Sequence, residues 1–104
     1  MSEEFCRFII SATSKEEADN ISDTLVKKRL IAGSLITKGD SRYWWEGEIV
    51  EKEYYNVQGF SLIKNKEKII SEVKQIHSDK CPIIAFIQID GNEEFLNWIK
   101  ESVE

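Results

Sequence analysis

Apolar residues along the chain change their spacing several times, and these changes divide it into strands and helices. Residues 5–13 are rich in aromatic and β-branched side chains, which predicts a strand. Ser14 then begins a helix, because its hydroxyl can cap the amide three residues on while the Glu17 carboxylate reaches back. Apolar side chains continue at helical spacing to Leu25, and we expect the helix to end near residues 29–30.

Residues 31–64 lack helical periodicity and predict a long β-hairpin. Glu46–Gly47 is the predicted turn, because glycine readily adopts positive φ. Gly39–Asp40 is expected to mark a bulge or bend in the first arm. Arms of about 12 residues would each span about 40 Å, whereas a domain of this length has a radius of gyration of about 13 Å. The hairpin is therefore expected to overhang its own core.

The second half of the chain predicts a helix, a strand and a short helix. Asn65 is expected to cap the helix, and Pro82 to open a last core strand over Ile83–Ile89. Gly91–Asn92 is a turn into the C-terminal helix. The apolar faces of the two helices are formed by Ile69, Ile70, Val73 and Ile76, and by Phe95, Leu96, Ile99 and Val103. The order βαββαβ predicts one α+β domain over residues 1–104, a ferredoxin-like sandwich with two helices on one face of an antiparallel sheet.

Two neighbouring tryptophans in the hairpin indicate that one copy of the chain is not enough. Trp44 and Trp45 lie next to each other on a strand and therefore face opposite sides of the sheet. Helices cover only one side, so at least one tryptophan, together with Tyr43 or Tyr54, needs cover from another subunit. The alternative is a bulge that turns both rings to one side. A hairpin that extends a neighbour's sheet makes a head-to-tail contact, and such contacts close into rings.

Charge and cysteine content narrow the functional classes. The chain has 14 Lys and Arg against 19 Asp and Glu, and the basic residues are dispersed. These features argue against binding to nucleic acid or anionic membranes, which requires clustered positive charge. The acidic start, Ser2–Glu4, predicts no signal peptide. Cys6 and Cys81 are expected at opposite ends of paired strands, too far apart for a disulfide. We expect a cytoplasmic protein.

The sole histidine lies in the segment with most candidate chemistry. His77, Asp79 and Cys81 offer ligands for zinc or copper; the alternative is a polar helix C-terminus that satisfies the last carbonyls. Lys64 with His77 and Asp79 is a candidate anion cleft between subunits, or else a surface salt bridge. No glycine-rich phosphate loop is present, and no nucleophile is marked beside the histidine. The sequence therefore predicts no enzyme.

Five segments resemble a known family. Ser41–Ile49 is similar to the S-x-Y-x-W-x-G-x-I hairpin signature of the CutA divalent-ion tolerance family. Arg29–Ala32 resembles its R-L-x-A segment, and Lys64 lies where the family has a lysine ending the third strand. His77–Pro82 resembles its H-x-Y-x-x-P segment, and Gly91–Trp98 its G-N-x-x-Y/F-L-x-W ending. The resemblance covers essentially the whole chain.

The resemblance implies a ferredoxin-like fold, a tight homotrimer and a role in tolerance of copper and other divalent ions, with no established enzymatic activity. No certain cofactor is implied; copper or another divalent cation would bind weakly. Gly33 replaces a cysteine that is a proposed metal ligand of the family, and Asp79–Ile83 departs from its Tyr-Glu and Val-Pro-Glu positions. The expected interface or cleft residues are Tyr43, Trp44, Trp45, Glu46, Lys64 and Trp98. The alternative is a PII-like signalling trimer with a small anionic ligand in its inter-subunit clefts, although its long loop between the second and third strands is here a short turn.

Overall fold

In the computed structural model, which describes residues 4–104, the chain folds into a four-stranded antiparallel sheet and three helices. Residues 1–3, which carry part of the acidic start, lie outside the described residues. The elements are β1 (Phe5–Ala12), α1 (Lys15–Lys27), β2 (Gly33–Trp45), β3 (Glu48–Leu62), α2 (Lys66–Ile76), β4 (Ile84–Ile89) and α3 (Glu93–Ser102). The strand order is β2-β3-β1-β4. The predicted α+β sandwich is confirmed.

The main core lies between the sheet and the helices α1 and α2. Phe8 and Ile10 of β1 are fully buried there, together with Ile21 of α1 and Ile69 of α2. These side chains follow the predicted spacings: every second residue on the strand, and every three to four residues on the helices. A second cluster, around Leu62, holds α3 against the opposite face at one end of the sheet.

Both ends of α1 have recognisable capping chemistry. The Ser14 hydroxyl accepts a hydrogen bond from the Glu17 amide at 3.1 Å, as predicted. The helix ends at Lys27, slightly before the predicted residues 29–30. Leu30 donates its amide to the Leu25 carbonyl, and Arg29 has a left-handed φ of 55°. This is the arrangement of a Schellman motif, in which glycine usually occupies the left-handed position.

Two local predictions were wrong. The predicted bulge at Gly39–Asp40 is absent: Gly39 pairs with Tyr54 and Asp40 with Glu53 in an unbroken register, because an extended glycine can stay in the ladder. Asn65 lies at the N-cap of α2, but its side chain makes no capping bond. A 3₁₀ turn over residues 63–65 has already brought the backbone of Asn65 to helical angles. Its side-chain NH₂ donates instead to the carbonyls of Leu30 and Glu104.

The hairpin overhangs the sheet as predicted. β1 pairs only with the Tyr55–Leu62 part of β3. The remaining part, Glu48–Tyr54, pairs only with Gly39–Trp45 of β2, and we call these two segments the distal ribbon. The molecule is 46 Å long but only 23 by 22 Å in cross-section. Glu46 and Gly47 both have positive φ, 49° and 81°, which fits the predicted tight turn.

Candidate functional site

His77 lies directly after α2 and is almost fully buried, with a side chain 1% exposed. Its Nε2 donates to the Ser11 carbonyl at 2.6 Å, and its Nδ1 accepts from the Asp79 amide at 3.0 Å. This pairing requires the neutral imidazole with its proton on Nε2. Both ring nitrogens are therefore engaged within the chain, and neither is free to ligate a metal in this arrangement.

Glu17 fastens the loop after α2 to the start of α1. Its carboxylate accepts hydrogen bonds from the Thr13 amide at 3.0 Å and the Ser78 amide at 2.9 Å, and it lies 3.6 Å from His77 Nε2. Burial by itself would raise the pKa of this carboxyl, but the hydrogen bonds from Thr13 and Ser78 lower it overall. The loop is thus fixed in place by charge-assisted hydrogen bonds.

A chain of hydroxyl groups connects the same loop to the hairpin. Tyr54 donates to the Asp79 carboxylate at 3.0 Å, and its hydroxyl lies 3.3 Å from that of Tyr43. The two rings meet edge to face, with centroids 6.0 Å apart. Burial, the Tyr43 hydroxyl and Asp79 together raise the pKa of Tyr54. Asp79 therefore acts as a hydrogen-bond acceptor at the base of the distal ribbon.

The metal ligands expected from the sequence are not assembled within one chain. His77 is engaged as described, Asp79 accepts from Tyr54, and Cys81 is exposed. Across residues 4–104, no group of three or more His, Cys, Asp or Glu side chains could hold a metal ion. The spacing H-x-D-x-C places the three residues in one loop but does not make their ligand atoms converge. Cys6 is buried, and both cysteines are free.

Lys64 lies far from the residues with which it was grouped. It belongs to the 3₁₀ turn after β3, where the neighbouring Ile63 amide bonds the Glu4 carbonyl at the start of β1. His77 bonds Ser11 near the other end of β1. Seven residues of strand separate these positions by about 23 Å. A cleft containing both Lys64 and His77 therefore cannot form within one chain.

The expected interface residues lie mostly on open surfaces. Trp44 and Trp45 are 72% and 42% exposed, and they pair in unbroken register with Ile49 and Glu48, which leaves them on opposite faces of the ribbon. Trp98 of α3 is 45% exposed and stacks on Phe95.

A side chain at Gly33 would meet the Trp98 ring at 3.3 Å, so the cysteine of the family pattern would press on this indole.

A groove of about 660 Å³ lies between the distal ribbon, the sheet and the loop after α2. The sequence did not reveal it, because the contact between Tyr54 and Asp79 depends on how strand and loop meet in space. Its lining residues include Ile9, Asn56, Tyr43, Trp45, Tyr54 and Asp79. The side-chain oxygen of Asn56 is buried and has no hydrogen-bond partner among residues 4–104.

Comparison with known proteins identifies the family. The family model described as CutA1 divalent ion tolerance protein matches residues 6–102. The chain belongs to this family. It is 38% identical over 96 residues to the divalent-cation tolerance protein CutA of Archaeoglobus fulgidus, covering 91% of this chain and 94% of that protein. It is 36% identical over 93 residues to the CutA of Thermotoga maritima, covering 86% and 90%.

Solved CutA structures have the same fold. The structure of the A. fulgidus protein, described as a periplasmic divalent cation tolerance protein, superposes with a TM-score of 0.93 at 36% identity and covers 96% of this chain and 99% of that one. The Thermus thermophilus protein gives 0.92 at 30% identity, with 96% and 99% coverage. None of the helices within residues 4–104 is long and apolar enough to cross a membrane.

Proposed function

We propose that this chain is a non-enzymatic homotrimeric protein of the cytoplasm that acts in the tolerance of or response to divalent metal ions, copper among them. The observation that carries the proposal is the distal ribbon, whose two strands pair only with each other. An isolated two-stranded ribbon is marginal in water. Support from neighbouring subunits would explain why this chain maintains one.

Two free sheet edges support the head-to-tail assembly. β2 pairs only with β3, and β4 pairs only with β1. The six residues of β4, Ile84–Ile89, include no charged residue and no proline. Soluble proteins usually protect such an edge with charge, proline or a bulge. Addition of the β2 edge of one copy to the β4 edge of the next satisfies both and closes into a ring if the rotation is 120°.

Exposed apolar side chains lie along the same surfaces. Leu35 on β2, Ile87 on β4 and Trp44 on the distal ribbon are all well exposed in the single chain. Exposed apolar side chains that cluster on a surface typically mark protein interfaces. A trimer formed through both edges would remove these side chains from water.

The metal-ion part of the proposal rests on the family and on its relatives' names. Because residues 4–104 of one chain contain no three-ligand cluster, a tightly bound ion would need ligands from more than one subunit. We therefore expect copper to bind weakly, or only to the assembled protein. No nucleophile in this site has a base beside it, because both ring nitrogens of His77 are hydrogen-bonded to the backbone.

Deletion of the gene in its host tests this function. We expect the deletion strain to be more sensitive to Cu²⁺ than the parent, and the wild-type gene to restore tolerance. Ile87→Lys, which places a charge on β4, should fail to restore it, whereas the control Glu101→Lys on the exposed surface of α3 should succeed. Equal copper sensitivity of parent and deletion strains would contradict the proposal.

A PII-like trimer with a small anionic ligand is the second candidate. Its cleft would require Lys64 of one subunit to meet His77 and Asp79 of another, since one chain keeps them apart. No observation within residues 4–104 specifically favours this candidate. A titration with ATP that shows no heat would remove it.

A further inference from the structure

Arg7 is a single positive charge in an otherwise uncharged part of the sheet. Successive residues of β1 alternate between the face buried under α1 and α2 and the opposite face, which we call the open face. Arg7 lies on the open face, directly between Phe60 of β3 and Ile87 of β4. Leaving the distal ribbon aside, it is the only charged residue that the four strands of residues 4–104 carry on this face.

The guanidinium group of Arg7 has no carboxylate partner in the single chain. It donates a hydrogen bond to the side-chain oxygen of Gln58, a neutral group on the same face. None of the ion pairs within residues 4–104 includes Arg7. The side chain is partly exposed, so water still solvates it. Removal of a charge from water is costly unless an opposite charge compensates it, so anything that covers the open face creates a need for negative charge.

The proposed trimer covers the open face and brings three copies of Arg7 together. Because α1 and α2 already cover the other face, a ring closed through the β2 and β4 edges has its helices outside and its open faces toward the threefold axis. Symmetry then places the three Arg7 side chains at one height around that axis. Twelve strands about 4.8 Å apart and tilted by about 40° form a ring of about 12 Å radius, so long side chains that point inward converge.

The neighbouring copies do not supply the missing negative charge from their strands. Each presents the same open face, on which Arg7 is again the only charge outside the distal ribbon. Glu48 shares this face, but it lies at the ribbon tip, twelve residues or about 40 Å along β3 from Phe60. Glu93 and Glu94 begin α3 and are exposed, where they complement the positive end of the helix dipole. The charge balance at the axis therefore favours an anion from solution.

We propose that the three Arg7 guanidinium groups hold one tetrahedral oxyanion, of the phosphate or sulfate class, on the threefold axis of the trimer. Three of the four oxygens of such an ion are related by a threefold rotation, and each can accept the paired N–H donors of one arginine. The hydrogen bond to Gln58 orients each guanidinium group. This inference rests on the trimer proposed above but not on its role with metal ions. The site also differs from the clefts of a PII-like protein, because it lies on the axis and does not involve Lys64.

Calorimetric titration of the full chain with inorganic phosphate, sulfate and acetate at constant ionic strength tests the stoichiometry and the shape preference. We expect phosphate or sulfate to bind saturably at one ion per three chains, and at least about tenfold more tightly than acetate, which lacks threefold symmetry. One ion per chain, or equal binding of acetate, would overturn the proposal. Light scattering on the same sample separates the two claims. A trimer that binds neither oxyanion refutes the site alone, whereas a monomer refutes the trimer as well.

Matched variants locate the site. Arg7→Gln removes three charges from the axis and should raise the dissociation constant for the oxyanion at least about tenfold. Arg7→Lys keeps the charges but loses the paired donors, and it should bind with intermediate affinity. Arg42→Gln removes the same charge from the distal ribbon, where Arg42 pairs with Glu51, and should leave binding unchanged. Light scattering and melting curves establish that each variant is a folded trimer. Unchanged affinity of trimeric Arg7→Gln would refute the assignment, and so would binding that appears only in Glu94→Gln, because Arg7 would then be paired with a carboxylate.

Discussion

Gly59, in β3, is the glycine with the least room for a side chain. A Cβ atom placed there would lie 2.0 Å from the Gly33 carbonyl oxygen and 2.9 Å from Phe8 Cζ. Carbon and oxygen normally approach no closer than about 3.3 Å, so β2 would have to move by about 1 Å. Overpacking typically costs about 1–3 kcal/mol, and distortion of a ladder hydrogen bond adds about 1 kcal/mol. We expect Gly59→Ala to lower the free energy of unfolding by about 2–4 kcal/mol.

The matched control is Gly39→Ala in β2. It makes the same chemical change, but no atom lies within 4 Å of the new methyl group and the backbone is extended. The alanine restricts the unfolded chain and should stabilise the protein by about 0.4–1 kcal/mol. Both variants are compared with wild type by guanidinium unfolding at one protein concentration, because assembly makes stability concentration-dependent. If the free energies of unfolding of the two variants differ by less than about 1 kcal/mol, the close approach at Gly59 is refuted. This threshold allows for an extrapolation error of about 10–15% in each value.

Three further predictions concern the loop after α2 and the thiols. His77→Ala should lower the free energy of unfolding of the metal-free protein by about 2–3 kcal/mol, since two buried backbone groups lose partners; an unchanged value would contradict its structural role. Glu17→Gln should destabilise the protein at pH 7 by about 1–2 kcal/mol. The folded pKa of Glu17 lies below its usual 4.5, so its contribution is complete above pH 4.5 and lost as pH falls through the folded value; a gap that persists at pH 2 would contradict this. A thiol reagent should label Cys81 rapidly and Cys6 only on unfolding, because burial raises the pKa of Cys6 and hides it; equal labelling rates would contradict the burial.

Hydrophobic spacing predicted the elements because each element keeps one side-chain repeat along its length, two residues on a strand and about 3.6 on a helix. Alternation placed Trp44 and Trp45 on opposite faces of the hairpin, and the unbroken register confirms it. The predicted bulge at Gly39 was wrong because glycine permits a break without requiring one. The predicted cap at Asn65 was wrong because its backbone is already helical and its side-chain NH₂ donates to the carbonyls of Leu30 and Glu104, which are distant in sequence.

The site was less predictable than the fold. His77, Asp79 and Cys81 have a spacing that brings metal ligands into one loop, but ligand geometry depends on where each side chain points. Two backbone groups, the Ser11 carbonyl and the Asp79 amide, form hydrogen bonds with the two ring nitrogens of His77. The contact between Tyr54 and Asp79 joins residues 25 apart, and no local pattern indicates it. Both residues line the groove.

The mass of the protein in solution tests the central claim most directly. Light scattering coupled to size exclusion, over a range of micromolar concentrations, should give about 36 kDa, three times the chain mass of 12.1 kDa. A mass of 12.1 kDa throughout that range would show that the distal ribbon and both sheet edges are stable without a partner, and it would contradict the trimer.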